Sequence, residues 1–411
     1  MRPRTNRTTL PLALALSGAL SATLASPLAA QSCGMDFTAG VDAAIDSAIR
    51  DNRIVGTVVK IMKDGELVYS RAAGQSDREA GTPMTEDAIF RLSSVSKIFV
   101  TSAALALIDQ GKLSLNDPVS KYLPDFHPAL ADGNTPEITI AQLMTHTAGL
   151  GYGLLEQPDG PYHAAGVSDG LDELDIDMAE NMKRISTAGL AYAPGESWAY
   201  SVAIDVLGAV IEAATGQPLP EAVGTLISAP LGLTDTGFWT HSDRLTAAYY
   251  NTPEGAALMA DPQLVTSVPG AAIRFSSSRA RKETPFPSGG AGMVSTAGDI
   301  LTLLETLRAG GGAILSSGTA TDMMQNHIGD LPVTTNGPGY GFGFGGKVLT
   351  DPQAAATPQS PGTFSWGGVY GHTWFIDPAC KLTVVEMTNT GLEGLGGQFP
   401  ADVAKAIYAT E

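Results

Sequence analysis

The sequence of 411 residues predicts an α/β (α+β) fold, in which an antiparallel sheet flanked by helices is joined to an all-helical lobe. Three observations lead to this prediction. An apolar helix face over residues 37–49 precedes a hairpin that turns at Asp64-Gly65. Residues 340–390 have the pattern of closing antiparallel strands, and a last helix is predicted over 397–409. Helical segments dominate the chain between these two ends.

We expect one domain over residues 31–411, because no internal repeat or low-complexity tract divides the chain. Its α/β lobe should contain about residues 34–94 and 336–411, which hold the first hairpin and the closing strands. The helical lobe should contain about residues 95–335.

Two long irregular segments interrupt the helical lobe. The first, 151–185, is acidic, and the second, 240–290, contains a group of basic residues. These basic residues are Arg274, Arg279, Arg281 and Lys282. Long loops inside a compact domain are usually functional, so we expect both segments to lie over a cleft and to select its ligand.

The N-terminus has the features of an export signal. Arg2, Arg4 and Arg7 precede an apolar run over 10–24, which is too short for a comfortable membrane span, and small residues precede Gln31. We therefore predict a signal peptide over residues 1–30 and an exported protein, periplasmic or secreted, with no stable membrane anchor. The absence of an Arg-Arg pair from the sequence favours the general secretion route over the twin-arginine route.

Acidic residues outnumber basic residues in this chain, which has a net charge of -18. The predicted signal peptide holds three arginines and no acidic residue, so its removal changes the net charge to -21. Nucleic acids and anionic membranes repel such a chain, and neither is an expected partner. The six histidines have no metal-ligand spacing, and we predict no metal and no cofactor. The sequence does not determine the oligomeric state.

The stretch Ser94-Val95-Ser96-Lys97 carries the strongest chemical signal in the sequence. A serine hydroxyl is a poor nucleophile until a base takes its proton, and a lysine three residues later reaches it when both lie on one helix face. Apolar periodicity from Ser96 to Gln110 predicts that helix, and Gly111 is placed to end it. The Ser94 N–H and the positive end of the helix dipole would then face an oxyanion formed at the serine.

By itself this tetrapeptide is a weak signal, because a chain of this composition contains about one such pattern by chance. The alternative interpretation is an exposed Ser and Lys at an ordinary helix start. Three further segments favour catalysis. They are Leu143-Met144-Thr145-His146-Thr147-Ala148-Gly149-Leu150, Ala193-Pro194-Gly195-Glu196-Ser197-Trp198-Ala199-Tyr200-Ser201 and Ser365-Trp366-Gly367-Gly368-Val369-Tyr370-Gly371.

In order and spacing, these segments resemble the serine β-lactamase and penicillin-binding protein superfamily, specifically its class C-like branch and the related family VIII carboxylesterases. The resemblance covers about residues 36–410. It implies a β-lactamase-like serine hydrolase fold with Ser94 as the acyl-accepting nucleophile and Lys97 as the general base. Tyr200 matches the family's Y-x-N motif and would relay protons to the leaving group and to water. The alternative for Tyr200 is a turn tyrosine that packs on the following helix.

The sequence departs from the lactamase pattern in two places. Val202 stands where Y-x-N has Asn, and Trp366-Gly367-Gly368 stands where β-lactamases have Lys-Thr-Gly. An indole and two glycines offer a substrate an apolar wall and close backbone approach in place of a cation. The same departure is typical of the superfamily's esterases, whose oxyanion hole pairs the N–H of the nucleophile, here Ser94, with an N–H of this strand, here Val369.

Three other motifs are assigned structural roles. Gly166-Val167-Ser168-Asp169-Gly170 matches the nucleophile elbow G-x-S-x-G, but a loop-like segment precedes Ser168 where the elbow needs an apolar strand. The G-x-G-x-x-G pattern at 341–346 alternates with aromatic residues like a strand edge, and no βαβ unit follows it. His372 is predicted to pack on its strand or to lie behind the catalytic residues.

Cys33 and Cys380 are the two cysteines of the chain. Export permits a disulfide, and the resemblance implies that the N-terminal helix packs on the C-terminal strands. A bond between the two cysteines and a pair of free thiols are both left open. A lipoprotein anchor at Cys33 is disfavoured, because the preceding residues lack the usual leucine.

The residues and the resemblance together predict an exported carboxylesterase that acts through an acyl-enzyme on small or medium esters. Its expected partner is a small-molecule ester. One alternative is hydrolysis of β-lactams or D-amino-acid peptides, which uses the same three catalytic residues but is disfavoured by the missing Lys-Thr-Gly. The other is a non-catalytic protein that binds acyl ligands. Such relatives usually lose the nucleophile or the base, and this chain keeps both.

Overall fold

The computed structural model of the protein describes Cys33, residues 36–268 and residues 270–409. The predicted signal peptide at 1–30 lies outside the described residues. None of the helices in this part of the chain combines the length and the apolar character that a membrane crossing requires.

Helices and strands are named here in chain order. The helices are α1 (Thr38–Arg50), α2 (Ser96–Asp109), α3 (Ile140–Met144), α4 (Pro161–Ala165), α5 (Met178–Ala188), α6 (Ala203–Thr215), α7 (Leu219–Val223), α8 (Ala229–Leu231), α9 (Ala297–Arg308), α10 (Ser317–Met323), α11 (Glu393–Gly396) and α12 (Gln398–Ile407). The strands are β1 (Gly56–Lys63), β2 (Glu66–Asp77), β3 (Thr82–Pro83), β4 (Ile89–Arg91), β5 (Tyr249–Thr252), β6 (Gly255–Leu258), β7 (Gln263–Val268), β8 (Ala271–Phe275), β9 (Val294–Thr296), β10 (Tyr340–Phe342), β11 (Lys347–Leu349), β12 (Phe364–Gly368), β13 (His372–Asp377), β14 (Leu382–Thr388) and β15 (Thr390–Gly391).

An eight-stranded antiparallel sheet is the frame of the fold. Its strand order is β10-β11-β12-β13-β14-β1-β2-β3, so the N-terminal hairpin completes a sheet begun by the C-terminal strands. Strand β1 pairs with β14 from Thr57 to Lys63. Its β-branched residues favour a strand that is buried in a sheet. Helices α1 and α12 cover one face and share an apolar cluster with β1 and β14. The predicted fold class is confirmed.

Helix α2 is the centre of the helical lobe, and α6 and α7 pack against it. Its residues are buried continuously from Ser96 to Leu107. A helix that is enclosed on all sides has no solvent-exposed face, so a polar residue is buried at any position along it. Lys97 is therefore enclosed by the position of its helix, and Gly111 ends the helical segment with φ of 70°, as predicted.

Two features differ from the sequence expectations for the lobes. Helix α9, inside the predicted helical lobe of residues 95–335, packs on β14 and β1 and so covers the sheet. Its apolar face resembles that of any amphipathic helix, and the sequence gives no sign of which layer it contacts. The segment 240–290, expected to be irregular, contains the hairpins β5–β6 and β7–β8, so this lobe is not all-helical. These strands are only four to six residues long, so their alternation of buried and exposed positions, clear in β8, extends over few residues.

The glycine-rich stretch at 341–346 begins in β10, which is the edge strand of the large sheet. This agrees with its interpretation as a strand edge. Cys33 and Cys380 form a disulfide with a Cα–Cα distance of 5.6 Å. The bond joins the chain before α1 to the turn between β13 and β14, and it decides between the two states that the sequence left open.

Candidate active site

Ser94 lies in a 3-10 turn, Ser93–Val95, between β4 and the first residue of α2. Ser93 has a positive φ of 44°, a conformation that costs a non-glycine residue about 1–3 kcal/mol. Two hydrogen bonds hold it there. Its Oγ donates to Leu92 O at 2.7 Å and accepts the N–H of Tyr370 at 3.3 Å. The turn thus fixes Ser94 at the N-terminus of α2.

Lys97 lies one helical turn after Ser94 and points to it. Its Nζ is 3.5 Å from Ser94 Oγ and donates a hydrogen bond to Gly290 O at 2.8 Å. The ammonium also lies 4.7 Å from the ring centre of Tyr200 and 5.3 Å from that of Tyr152. An amine held by one carbonyl, one hydroxyl and two aromatic faces is positioned to exchange a proton with the serine.

Tyr200 is the second group at the serine. Its hydroxyl donates to Ser94 Oγ at 2.6 Å, a short and direct hydrogen bond. Backbone hydrogen bonds hold the chain on both sides of it: Ala199 N–H donates to His146 O at 3.1 Å, and Val202 N–H donates to Gly151 O at 3.1 Å. The segment 143–150 therefore supports the tyrosine loop, which explains why the two motifs occur together.

His146 is a structural part of this support. It has a positive φ of 56°, and its Nδ1 is 3.0 Å from Ser201 Oγ. Burial, and next the charge of Lys97, lowers the pKa of His146 well below 6.5, so the ring is neutral. It packs 4.9 Å from the ring of Tyr200 and limits how that ring can move.

Asp205 on α6 supplies a buried carboxyl group behind Lys97, and the sequence analysis missed it. The Gly290 N–H donates to Asp205 Oδ1 at 3.1 Å, and Ser288 Oγ donates to the same atom at 2.6 Å. Burial raises the pKa of Asp205, and the charge of Lys97 opposes that rise. A Cβ on Gly290 would lie 2.5 Å from Asp205 Oδ2, so a glycine is required between the carboxyl and the lysine.

Tyr152 is a further buried neighbour of Lys97, and its hydroxyl donates to Asp169 O at 3.5 Å. The sequence analysis assigned a role to neither residue. Burial, and next Tyr200, raises the pKa of Tyr152 well above 10. Burial, and next Asp172 and then Asp205, raises the pKa of Asp169 to about 8. A tyrosine between two glycines, directly after a motif segment, was the available signal for Tyr152.

Strand β12 brings the Trp366-Gly367-Gly368 segment to the serine. A Cβ on Gly368 would overlap Leu92 O and lie 2.5 Å from Ser93 Oγ, so the strand reaches the 3-10 turn only because this residue is glycine. The indole of Trp366 packs 5.2 Å from the ring of Tyr200. Val369 follows the strand and lines the same cavity as Ser94.

That cavity has a volume of about 770 Å³. Near Ser94 its wall is mainly apolar. The apolar residues there are Leu154, Leu155, Ile273, Trp366, Val369 and Leu392. Within the described residues, no three His, Cys, Asp or Glu side chains are arranged to hold a metal ion. The site therefore places a hydroxyl, an amine and a phenol at the end of an apolar cleft.

Known proteins are similar in sequence to this chain over most of its length. The family model described as Beta-lactamase matches residues 41–405. The chain belongs to the beta-lactamase family. Esterase EstB of Burkholderia gladioli is 46% identical over 374 residues, which are 90% of this chain and 95% of EstB. Lovastatin esterase of Penicillium rubens is 26% identical over 403 residues, 89% of this chain and 96% of that protein.

Solved structures show the same relationship. The structure described as "EstCE1, a hydrolase with promiscuous acyltransferase activity" is 46% identical, has a TM-score of 0.88, and covers 90% of this chain and 98% of its own. The resemblance that the motifs predicted is confirmed, and this member of the beta-lactamase family is a serine hydrolase of the esterase branch.

The basic residues of segment 240–290 do not supply the cation that β-lactamases take from Lys-Thr-Gly. Arg279 donates to the carbonyls of Asp172 and Phe286, and Lys282 forms an ion pair with Glu173. Arg281 donates to Ser242 O at 2.6 Å. Arg274 is exposed on β8 next to Ile273, which is the residue that lines the cavity. Of the described residues of this segment, Ile273 is the one that lines the cavity with Ser94.

The rival motif at Ser168 has a structural role in this family member. Ser168 is buried, its Oγ donates to Asp172 Oδ1 at 2.5 Å, and it accepts the Gly170 N–H at 3.1 Å. His372 is also buried, with its Nε2 2.8 Å from Arg91 O, and burial lowers its pKa to about 4. Neither residue lines the cavity that contains Ser94.

Proposed function

We propose that this chain is an exported carboxylesterase that forms an acyl-enzyme on Ser94 with small or medium esters. The observation that carries the proposal is the convergence of Lys97 and Tyr200 on Ser94 Oγ beneath the apolar wall of Trp366. The names of EstB and lovastatin esterase support ester substrates for this chain.

Acylation uses the two proton-handling groups in turn. Lys97, as the free amine, accepts the proton of Ser94 while Oγ forms a bond to the ester carbonyl carbon. The tetrahedral intermediate then breaks its bond to the alkoxy oxygen, which receives a proton from the Tyr200 hydroxyl. Tyr200 regains that proton from Lys97, so the cycle leaves both groups as they began.

Deacylation repeats these transfers with water as the nucleophile. Lys97 takes the proton of the Tyr200 hydroxyl, and the Tyr200 oxygen, 2.6 Å from Ser94 Oγ, takes a proton from water as the water attacks the acyl carbon. The bond to Ser94 Oγ breaks, and Oγ takes the proton that Lys97 holds, which returns Lys97 to the free amine and leaves Tyr200 a neutral phenol. The free acid leaves through the same cleft. In both steps the carbonyl oxygen becomes negative, and the N–H groups of Ser94 and Val369 stabilise it.

The wall of the cleft favours neutral esters over carboxylate-bearing substrates. A substrate that packs on the indole of Trp366 and on the side chains of Leu154 and Ile273 gains about 0.8 kcal/mol of binding free energy for each methylene group that becomes buried. They provide no cation for a carboxylate, which a β-lactam carries. We therefore place ester hydrolysis ahead of β-lactam or D-amino-acid peptide hydrolysis.

The test compares three substrates with the purified chain: a p-nitrophenyl ester series, a chromogenic cephalosporin and a D-alanyl peptide. We expect kcat/KM for short and medium esters to exceed that for the cephalosporin at least tenfold. Mass spectrometry of rapidly quenched enzyme should find the acyl group on Ser94. Penicillin and cephalosporin rates above the ester rates would overturn the esterase assignment and support the lactamase alternative.

The proposal of export has its own test. Expression of the full chain in a bacterial host, followed by fractionation and N-terminal sequencing, should give a product that begins near Gln31. A cytoplasmic product that retains Arg2 would contradict export without affecting the esterase assignment.

A further inference from the structure

The face of the sheet opposite Trp366 contains a buried carboxylic acid that the proposed reaction does not use. Glu386 on β14 is 2% exposed, and its Oε2 has no hydrogen-bond partner among the described residues. Burial raises its pKa well above 4.5. Because an unsatisfied buried acid destabilises the folded state, its presence in the sheet calls for an explanation.

The strand register shows which surface Glu386 belongs to. Glu386 lies opposite Thr373 on β13, and Thr373 lies opposite Gly367 on β12. Side chains alternate along a strand, so these three positions face away from the side on which Trp366 and Gly368 contact the catalytic residues. Gly367, which the sequence predicted to contact substrate, therefore has its missing side chain on this second face.

The cavity that contains Ser94 extends to this second face. Its lining there includes Gly367, Thr373, Phe375 and Glu386 on the sheet, and apolar residues of α11 and α12. These apolar residues are Leu395, Pro400, Ala401 and Ala404. We call this part of the cavity the Glu386 compartment. On the sheet side of the Glu386 compartment, the one acidic lining residue is Glu386. The lining residues from α11 and α12 are all uncharged.

Lys347 on β11 is the other charged residue that lines the cavity. Its ammonium lies 4.3 Å from the ring centre of Tyr340, and burial lowers its pKa to about 8. Within the described residues no ion pair joins it to Glu386. One carboxyl group and one distant ammonium leave room for a ligand with a single positive charge, and they disfavour a ligand with several.

We propose that the Glu386 compartment binds a small organic cation, a primary or secondary amine with an apolar body. The ammonium donates hydrogen bonds to the carboxylate of Glu386, which satisfies the unpaired oxygen. The hydrocarbon packs on Leu395 and on Pro400 and Ala401 of α12. Binding of the ammonium favours the ionised form of Glu386, so it favours release of a proton from this group.

Calorimetry with benzylammonium as the probe tests the proposal. The protein is the full chain with Ser94→Ala, which cannot form an acyl-enzyme, so the result is independent of the proposed esterase activity. We expect saturable binding, with proton release measured from two buffers of different ionisation enthalpy. Glu386→Gln should weaken the binding at least tenfold, and Glu66→Gln, at an exposed position of β2, should not change it. Benzyl alcohol, which has no charge, should bind equally to both variants.

A second variant separates the compartment from the catalytic end of the cavity. Ala401→Phe fills the space beside α12 without changing a charge, and we expect it to abolish benzylammonium binding. This variant also decides the matter if Glu386→Gln does not fold. Absence of saturable binding to the unmodified compartment, equal affinity in Glu386→Gln, or full affinity in Ala401→Phe would each overturn the proposal.

Discussion

Two side chains meet at one oxygen atom in this enzyme, and that atom belongs to Ser94. The Lys97 amine and the Tyr200 hydroxyl both lie within hydrogen-bond range of Ser94 Oγ, at 3.5 and 2.6 Å. Ser168, the other serine in a nucleophile-like motif, donates instead to a carboxylate. The contacts of each hydroxyl, rather than the motif around it, distinguish a nucleophile from a structural serine.

We expect Ser94→Ala to lower kcat for p-nitrophenyl butyrate by several powers of ten, because the acyl-enzyme can no longer form. Ser168→Ala is the matched control. It should keep turnover within a few fold of the parent and lower the free energy of unfolding by about 1–3 kcal/mol, since Asp172 loses a buried partner. An inactive Ser168→Ala that is fully folded by circular dichroism would refute the assignment of Ser94.

Asp169 makes the stability of the folded chain depend on pH. Its pKa is about 8 when folded and about 3.9 when unfolded, so the folded state holds the proton more tightly. Stability is then greatest below pH 4 for this group and falls as the pH rises toward 8. Asp169→Asn should remove this contribution, so that its melting temperature declines less between pH 5 and pH 8 than that of the parent. An unchanged decline would show that Asp169 is not the group responsible.

Single residues were predictable where a motif named them. The structure brings Ser94, Lys97 and Tyr200 together, with Lys97 Nζ at 3.5 Å and the Tyr200 hydroxyl at 2.6 Å from Ser94 Oγ. Asp205 was missed because the residues around it in α6 are apolar, so the local sequence does not show which groups form hydrogen bonds with its carboxylate. Its partners Ser288 and Gly290 lie more than 80 positions away, and only the fold brings them to it.

At the scale of elements, the end of β12 determines how closely the strand that carries the proposed oxyanion donor Val369 approaches the serine turn. Gly368→Ala would place a Cβ against Leu92 O and Ser93 Oγ and displace the strand. We expect kcat/KM for esters to fall about a hundredfold, the loss typical of one oxyanion donor. Gly224→Ala is the control, because no atom lies within 4 Å of the added Cβ. Equal activity of the two variants would contradict the role of this strand.

We attribute the proposed preference for neutral substrates to the side chain of Trp366 on the same strand. Trp366→Lys introduces the cation that β-lactamases have at this strand, and a charge-assisted hydrogen bond is worth about 1.5–3 kcal/mol. The ratio of cephalosporin to ester kcat/KM should rise about ten- to a hundredfold, and ester turnover itself should fall. Trp366→Leu, which removes the indole without adding charge, should lower ester turnover and leave the cephalosporin rate unchanged.

Elements with strong local patterns were predictable, and weakly patterned ones were not. The start of α2, its end before Gly111 and the closing strands follow from apolar periodicity and a glycine. Strands β5 to β8 are only four to six residues long, and the turn residues between them, together with the nearby basic residues, favoured an irregular segment over short strands. The layer that α9 joins depends on contacts between distant segments, which local patterns do not encode.

At the scale of the whole molecule, the disulfide between Cys33 and Cys380 joins two parts of the chain that are 347 positions apart in sequence. A bond across so long a loop restricts the unfolded chain, and loss of a native disulfide typically costs about 2–4 kcal/mol. The double variant Cys33→Ser with Cys380→Ser should therefore melt at a lower temperature. Its kcat for esters at 25 °C should be unchanged, since the bond lies at the far end of β13 from Ser94.

Reducing agent provides the control for this prediction. It should lower the melting temperature of the parent chain to that of the double variant and leave the double variant unaffected. A parent chain whose melting temperature does not respond to reduction and matches that of the double variant would show that the bond does not contribute to stability.

The position of β1 in the sheet determines the order in which the protein can fold. Thr57 on β1 pairs with Thr388 on β14. The first long strand to be synthesised therefore cannot pair with this neighbour until β14, near the end of the chain, has been made. Until the C-terminal segment is made, the hairpin of β1 and β2 has an open apolar edge that attracts other strands. Contacts so distant in sequence slow folding. We therefore expect the large sheet to close only after β14 has been synthesised, which would suit the proposed export because a translocation channel passes unfolded chains.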